Sequence, residues 1–402
     1  MKGLEFRIPR GISEDDEDNA TGEAYFMDVI IQGKVLAAVL VIAATMGAVV
    51  NKTHFCTMGA VSDWINMGDT GRMRAWLLAI AVAMTGVMVL EATQILQLND
   101  QTFPPYLTGS FAWPRYLLGG LLFGLGMVLA SGCGNKTLVR LGGGNLKSLI
   151  VIFAMMVSAY SMMWMPLYEK VFLPWLQPLT WDLPIRGIET QKLSTIIASG
   201  IPMGSNKVLL GTSIQAIALL FLWVFVFKSK EFRTSFDNVL GGVVVGMAVV
   251  GGWYLSAGPL GQSWQEAAQM SIEVPSRVQA QSLTFISPLG DILRFFMNPT
   301  QFYLINFGMV TVVGVVVGSW VWAISSGNFR MEWFTSLTDF LNHIVGGILM
   351  GLGGVLAMGC TIGQGISGLS TFALGSLLTF LAIVMGAVMM MKVRYWIILR
   401  GS

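Results

Sequence analysis

Three cysteines are the residues whose setting most invites chemistry. Cys56 lies in NKTHFCTMGA, Cys133 in SGCGNKTLVRLGGGN and Cys360 in MGCTIGQGISGLS. Each of these is a polar, glycine-rich break in an otherwise apolar stretch. A lone cysteine is ordinarily a small buried hydrophobe with a weak S–H donor. Three in the same kind of break read as a set. A thiol is a soft, weak partner for a sulfur-bearing ligand. A path across a barrier needs stations attractive enough to enter and weak enough to leave. Lys52 and His54 beside Cys56, and Lys136 beside Cys133, add positive or potentially positive groups that favour an anion. Gln364 adds a carboxamide to the last break. The chain has only two histidines, His54 and His343, and no CxxC pair. That gives little support to a metal site, a thioredoxin-like centre or a zinc ribbon. No cofactor motif is present, and no GxxxxGK[ST] signals nucleotide binding.

The elements that must position these residues are membrane helices. Of the 402 residues, 54% are hydrophobic and 11% charged, against about 25% charged in a soluble domain. The apolar residues come in blocks of roughly 20, the length of helix that crosses a bilayer. No basic run interleaved with aromatics is present, which excludes nucleic acid as a partner. Nine crossings are expected, near 29–50, 75–98, 116–131, 148–168, 207–227, 239–257, 302–324, 342–358 and 374–392. Two longer connections fall after the fourth and sixth crossings.

A duplication organises the chain. Residues 119–133 read GGLLFGLGMVLASGC and residues 346–360 read GGILMGLGGVLAMGC, identical at eleven of fifteen positions. The copies fall on the third and eighth crossings, an odd number apart, so they run in opposite directions. This is an inverted-topology repeat, an arrangement that places a substrate site between the halves. The expected division is an acidic, disordered tail at 1–28, a first half at 29–205, a linking helix at 206–235 and a second half at 236–402. A weaker match pairs AVVNKTHFC at 48–56 with AVVGGWYLS at 248–256, which would set Ser256 opposite Cys56. Arg72, Arg74, Lys136, Arg140, Lys147, Lys228, Lys230, Arg233, Arg330, Lys392, Arg394 and Arg400 gather on one side of the alternation. The positive-inside rule then puts the C-terminus in the cytoplasm and the N-terminus outside.

Irregular backbone in lipid is tolerated where it is buried in protein or lines a cavity. The breaks, with a fourth at 251–261, also expose helix N-termini, whose free N–H groups favour anions. Glu91, near a helix end with Gln94 and Gln97, reads as interfacial and solvated. Asp63, Asp69, Arg72 and Arg74 read as ion pairs ordering one loop. Trp253, Tyr254 and Trp264 either line the path or anchor at the interface.

Several long stretches resemble the YeeE/YedE family of sulfur-compound transporters, the bacterial thiosulfate permeases. FCTMGAVSDWINMGDTGRMRAWLLAIAVA at 55–83, GGLLFGLGMVLASGCGNKTLVRLGGGNLKSL at 119–149 and GCTIGQGISGLS at 359–370 carry the resemblance, with SLTFISPLGDILRFF at 282–296. The last cysteine motif departs from the common GCTSGHGISG at Ile362 and Gln364. The resemblance implies an hourglass-shaped all-α membrane protein of two inverted halves in the bacterial inner membrane. It implies inward passage of thiosulfate along Cys56, Cys133 and Cys360, and a cytosolic TusA-like sulfur carrier or rhodanese-like partner that takes the sulfur. Two alternatives stand beside it. One is transport of another sulfur or selenium species; the other is a membrane thiol-redox enzyme.

Overall fold

The computed structural model describes residues 14–97, 102–200, 207–270 and 275–401. The first half carries α1 (Glu14–Thr53), α2 (Thr57–Met67), α3 (Gly71–Ala92), α4 (Trp113–Leu129), α5 (Gly134–Gly142) and α6 (Lys147–Met163). The connection after it holds the short helices α7 (Leu173–Leu176) and α8 (Leu193–Ser199). Helices α9 (Lys207–Phe227) and α10 (Lys230–Thr234) lead into the second half. There lie α11 (Phe236–Ala257), α12 (Pro259–Met270), α13 (Ile286–Met297), α14 (Phe307–Ser325), α15 (Leu337–Leu356) and α16 (Leu374–Gly401). One antiparallel pair of two-residue strands, β1 (Ser110–Phe111) and β2 (Trp181–Asp182), ties two connections together. Among the described residues, eight helices are long and apolar enough to cross a membrane, or nine when the bent pair beginning at Lys147 counts as one span. The protein is a multi-pass membrane protein, as the hydropathy pattern predicts.

The acidic stretch expected to be a disordered tail is helical from Glu14 onward, as an extension of α1. Residues 1–13 of it lie outside the described residues. The expected linking helix is two helices, α9 and α10. Much of α9 faces outward, with Leu209, Ile217, Leu220 and Phe221 exposed. It is pinned to α3 by Trp223, whose indole N–H donates to Thr85, and by Arg74, which donates to the carbonyls of Phe225 and Val226.

Packing between the helices comes in matched pairs. Helix α1 packs on α14 as α11 packs on α3, and α4 packs on α16 as α15 packs on α6. The α2 helix touches α3 and α16, and α13 touches α14 and α6. Exchanging α1 with α11, α2 with α13, α3 with α14, α4 with α15 and α6 with α16 reproduces the arrangement. The counterpart of α2 is therefore α13, which follows a 28-residue connection (258–285) where the first half has only residues 54–56. This corrects the expected pairing of Ser256 with Cys56. Phe285, the residue before α13, takes that place. Ser256 instead ties down the insertion, donating to the Gln281 carbonyl at 2.6 Å and accepting from its N–H at 2.9 Å.

The repeated phrases form the seam between the halves. A Cβ on Gly126 would stand 2.6 Å from the Gly346 carbonyl oxygen, and one on Gly353 would stand 2.6 Å from that of Gly119. Lipid-embedded helices gain nothing from hydrophobic transfer between them, so close backbone approach by small residues supplies the contact.

Both seam helices end in the same way. Ser131 and Met358, at matching places in the two copies, adopt left-handed backbone with φ of 57° and 58°. The N–H groups of Gly132 and Gly359 then donate back to the carbonyls of Met127 and Gly354 at 2.9 and 2.8 Å. This capping turn satisfies carbonyls that a helix end leaves open. Arginines take others. Arg115 donates to Leu356 and Val355, Arg140 to Ser131, and Arg394 to Val128. A guanidinium also complements the negative end of the helix dipole.

Candidate functional site, a thiol-lined constriction

Each capping turn delivers a cysteine to the start of a short helix. Cys56 caps α2 and Cys133 caps α5, both with extended backbone. Cys360 precedes the helical turn that begins at Thr361 and continues as a π-helical segment over Gly363–Gly368. Phe285 stands in the fourth equivalent place. The carbonyl of each accepts the first bond of its helix, from Ala60, Thr137, Gln364 and Leu289 respectively. Four helix N-termini thus belong to four symmetry-related breaks, three of them headed by a thiol.

All three cysteines are free and buried, at 7%, 1% and 0% exposure for Cys56, Cys133 and Cys360. The thiols of Cys56 and Cys133 face each other at close range. Thr57 Oγ1 lies 4.0 Å from the Cys133 sulfur, and the Thr361 hydroxyl lies beside that sulfur too. Cys360, the residue before Thr361, lies in the same neighbourhood. The Cys360 sulfur accepts from the Gly363 N–H at 3.4 Å, and the Phe285 backbone also reaches it. Tyr106 closes over this end, donating to the Gly363 carbonyl at 2.8 Å. The three cysteines, 77 and 227 residues apart in sequence, therefore form one cluster.

The flanking groups divide. Lys136 is near Cys56 and Cys133, with Arg72, Arg140 and the exposed His54 about it, so this mouth is cationic. Lys52 is turned elsewhere, its Nζ 5.5 Å and 5.6 Å from the rings of Phe236 and Trp322. Gln364 is buried, with both ends of its carboxamide occupied. It donates to the Ala357 carbonyl and accepts from Ser376. It locks the break to α16. His343 pairs with Asp339 at the far end of α15 from Cys360. Among the described residues, no cluster of His, Cys, Asp and Glu could hold a metal ion.

On the side opposite Lys136, a cavity of about 350 Å³ reaches the break at Met358 and the first turn of α13 at Ser287, with Arg115 and Arg277 in its wall. Arg277 pairs with Asp291 at 3.0 Å and lies over the Phe103 ring at 4.3 Å. Burial weakens its charged form and the Asp291 carboxylate supports it. Basic side chains therefore lie on both sides of the thiol cluster, Arg277 among them already paired with Asp291. Sequence reasoning missed Arg115, Arg277, Thr57, Thr284, Thr361 and Phe285. Of these, Thr57 and Thr361 directly follow cysteines, a signal that was in view. Phe285 required knowing that α13 is the counterpart of α2.

Other expectations resolve simply. Glu91 is paired, its carboxylate 2.7 Å from Lys192 Nζ, rather than merely solvated. Of the expected loop ion pairs only Arg72 with Asp63 forms, at 3.3 Å; Asp69 accepts from the Gly71 N–H, and Arg74 reaches α9 instead. Trp253 is fully buried and donates to Ser370, Trp264 is buried, and Tyr254 faces outward.

Comparison with known proteins agrees with this architecture. The family model described as Sulphur transport matches residues 52–389, from the first break to the last helix. A protein of Escherichia coli (strain K12) named thiosulfate transporter TsuA is 28% identical over 347 residues, covering 81% of this chain and 85% of its own length. A protein of the same name from Spirochaeta thermophila (strain ATCC 700085 / DSM 6578 / Z-1203) is 24% identical over 351 residues, 86% of this chain and 95% of that one. The chain, a multi-pass membrane protein with its thiols gathered at helix breaks, belongs to the Sulphur transport family.

Proposed function

We propose that this protein carries thiosulfate, or a closely related small sulfur anion, inward across the bacterial inner membrane, handing it along Cys56, Cys133 and Cys360 between two inverted halves. The observation that supports this most is the gathering of thiols with the N-termini of four short helices. A bare dianion in a low-dielectric slab costs far more than a few kcal/mol. Each helix N-terminus carries roughly half a positive charge, so four together offset about two negative charges. The thiols add soft contacts to the terminal sulfur without the strong hold of a fixed cation. Arg115 and Arg277 on one side, and Lys136, Arg140 and Arg72 on the other, draw the anion to either end. The positive-inside rule supports a cytoplasmic position for that end and for the C-terminus. The N-terminus is then outside. A TusA-like carrier or rhodanese-like protein at the cytosolic mouth would take the sulfur and keep the gradient inward.

The test is uptake of radiolabelled thiosulfate into proteoliposomes, comparing the parent with Cys133→Ala. Cys133 lies next to Cys56 and beside Thr361, the residue that follows Cys360, so its loss is expected to abolish uptake or reduce it at least tenfold. Full uptake by the mutant would refute the relay.

A further inference from the structure

Two buried threonine hydroxyls at the constriction have no conventional hydrogen-bond partner. They are Thr361 Oγ1 and Thr284 Oγ1, on residues 0% and 3% exposed. Several other threonines satisfy themselves by donating back one helical turn, although Thr379 on α16 is also buried without a partner. Thr53 donates to Val49, Thr137 to Cys133 and Thr311 to Phe307. Thr361 and Thr284 stand at or just before the start of a helix, where no preceding turn offers a carbonyl. An orphaned buried hydroxyl is costly to keep, and each of these lies at a thiol station. The Thr361 hydroxyl is beside the Cys133 sulfur. Thr284 precedes Phe285, whose backbone reaches the Cys360 sulfur. Its Oγ1 lies 2.6 Å from where a Cβ on Gly363 would be, and Gly363 is the residue whose N–H binds that same sulfur. Glycine at 363 leaves the hydroxyl its room.

We propose that Thr361 and Thr284 hold the oxygen end of the cargo while Cys133 and Cys360 hold its sulfur. The inference rests on the transport function given above and concerns the same site. A sulfur anion of the thiosulfate type has two unlike ends, a polarisable terminal sulfur and a hard sulfonate. The S–H group is a weak, soft donor, and the O–H group is a stronger, hard one. A thiol and a hydroxyl side by side match both ends at once and fix which way the anion points. The free N–H groups at the starts of α5 and α13 lie next to the same pairs and reinforce the oxygen end. When the anion moves from one station to the next, it exchanges one thiol–hydroxyl pair for another and keeps its orientation. An anion with four equivalent oxygens, such as sulfate, leaves the thiol facing an oxygen and gains no such match.

The experiment compares Thr361→Val, Thr361→Ser, Thr284→Val and Thr284→Ser in the full-length protein, by thiosulfate uptake into proteoliposomes and by thermal unfolding in detergent. Valine keeps the shape and removes the hydroxyl. Because the hydroxyl is orphaned in the resting protein, each valine variant should melt at or above the parent temperature. Its uptake kcat/KM should fall by at least about tenfold, the scale of one hydrogen bond to a charged group. Each serine variant should stay within about threefold of the parent. A valine variant that transports like the parent overturns the role of that hydroxyl while leaving the transport function intact. So does a serine variant that fails alongside its valine partner with a lowered melting temperature. A folded parent that takes up no thiosulfate overturns the functional reading, and the orientation role with it. Each hydroxyl stands or falls on its own pair of variants.

Discussion

At the scale of single residues, the proposed path distinguishes groups that would touch the anion from groups that hold the break in place. Gln364 belongs to the second kind. It bridges the Ala357 carbonyl in the break and the Ser376 hydroxyl on α16. Replacing it with leucine orphans both partners in a buried setting, at a cost of roughly 1–3 kcal/mol for each unmet group. Gln364→Leu should therefore lower the melting temperature by several degrees and reduce uptake of every cargo alike, as measured by thermal unfolding and by competition among sulfur anions. A change in which anion is preferred, with stability unchanged, would show that the carboxamide reads the cargo directly. From the sequence, Gln364 looked like a path residue because it sits four positions after a cysteine. Its occupation by Ala357 and Ser376 depends on how α16 returns, which no local pattern encodes. The three cysteines were legible for the opposite reason. Each carries its own break with it in the chain, and the break is what brings the thiol to a helix start.

At the scale of elements, the decisive contact is the glycine seam between α4 and α15. The repeat itself announced these helices, and their glycines announced close packing. The sequence did not announce that the two copies pack against each other. Gly353→Val tests the seam. Its Cβ would meet the Gly119 carbonyl at 2.6 Å and the Phe123 nitrogen at 2.6 Å, so the helices must separate. Overpacking of this kind costs about 3 kcal/mol. The expected outcome is a clear drop in melting temperature in detergent and poor recovery of folded protein, with no dependence on added thiosulfate. The misplacement of Ser256 has an equally physical cause. AVVNKTHFC and AVVGGWYLS share the end of a helix, but α11 is followed by a 28-residue connection, most of it an insertion, before the chain re-enters as α13. Local similarity ends where the insertion begins, so the true counterpart of Cys56 was hidden behind it.

At the scale of the whole molecule, orientation can be tested because the native thiols are buried. A cysteine at exposed Asp182, in the connection after α6, should react with a membrane-impermeant maleimide applied to intact spheroplasts. One at exposed Lys228, after α9, should react only once the membrane is opened. The reverse pattern would invert the proposed direction of the chain. The larger consequence comes from Phe285. Three of the four matched positions carry a thiol and the fourth carries phenylalanine, so the proposed path is not the same seen from its two ends. Cargo inside the constriction should spend most of its time at the Cys56–Cys133 end, where two thiols face each other, and little beside the ring. A carrier with such a lopsided profile saturates at different concentrations from the two faces, although it cannot by itself drive net flow. Phe285→Cys should bring the two half-saturating concentrations together in liposomes of defined orientation. Parent protein that already saturates equally from both faces would show the ring to be a spacer with no bearing on where the anion dwells.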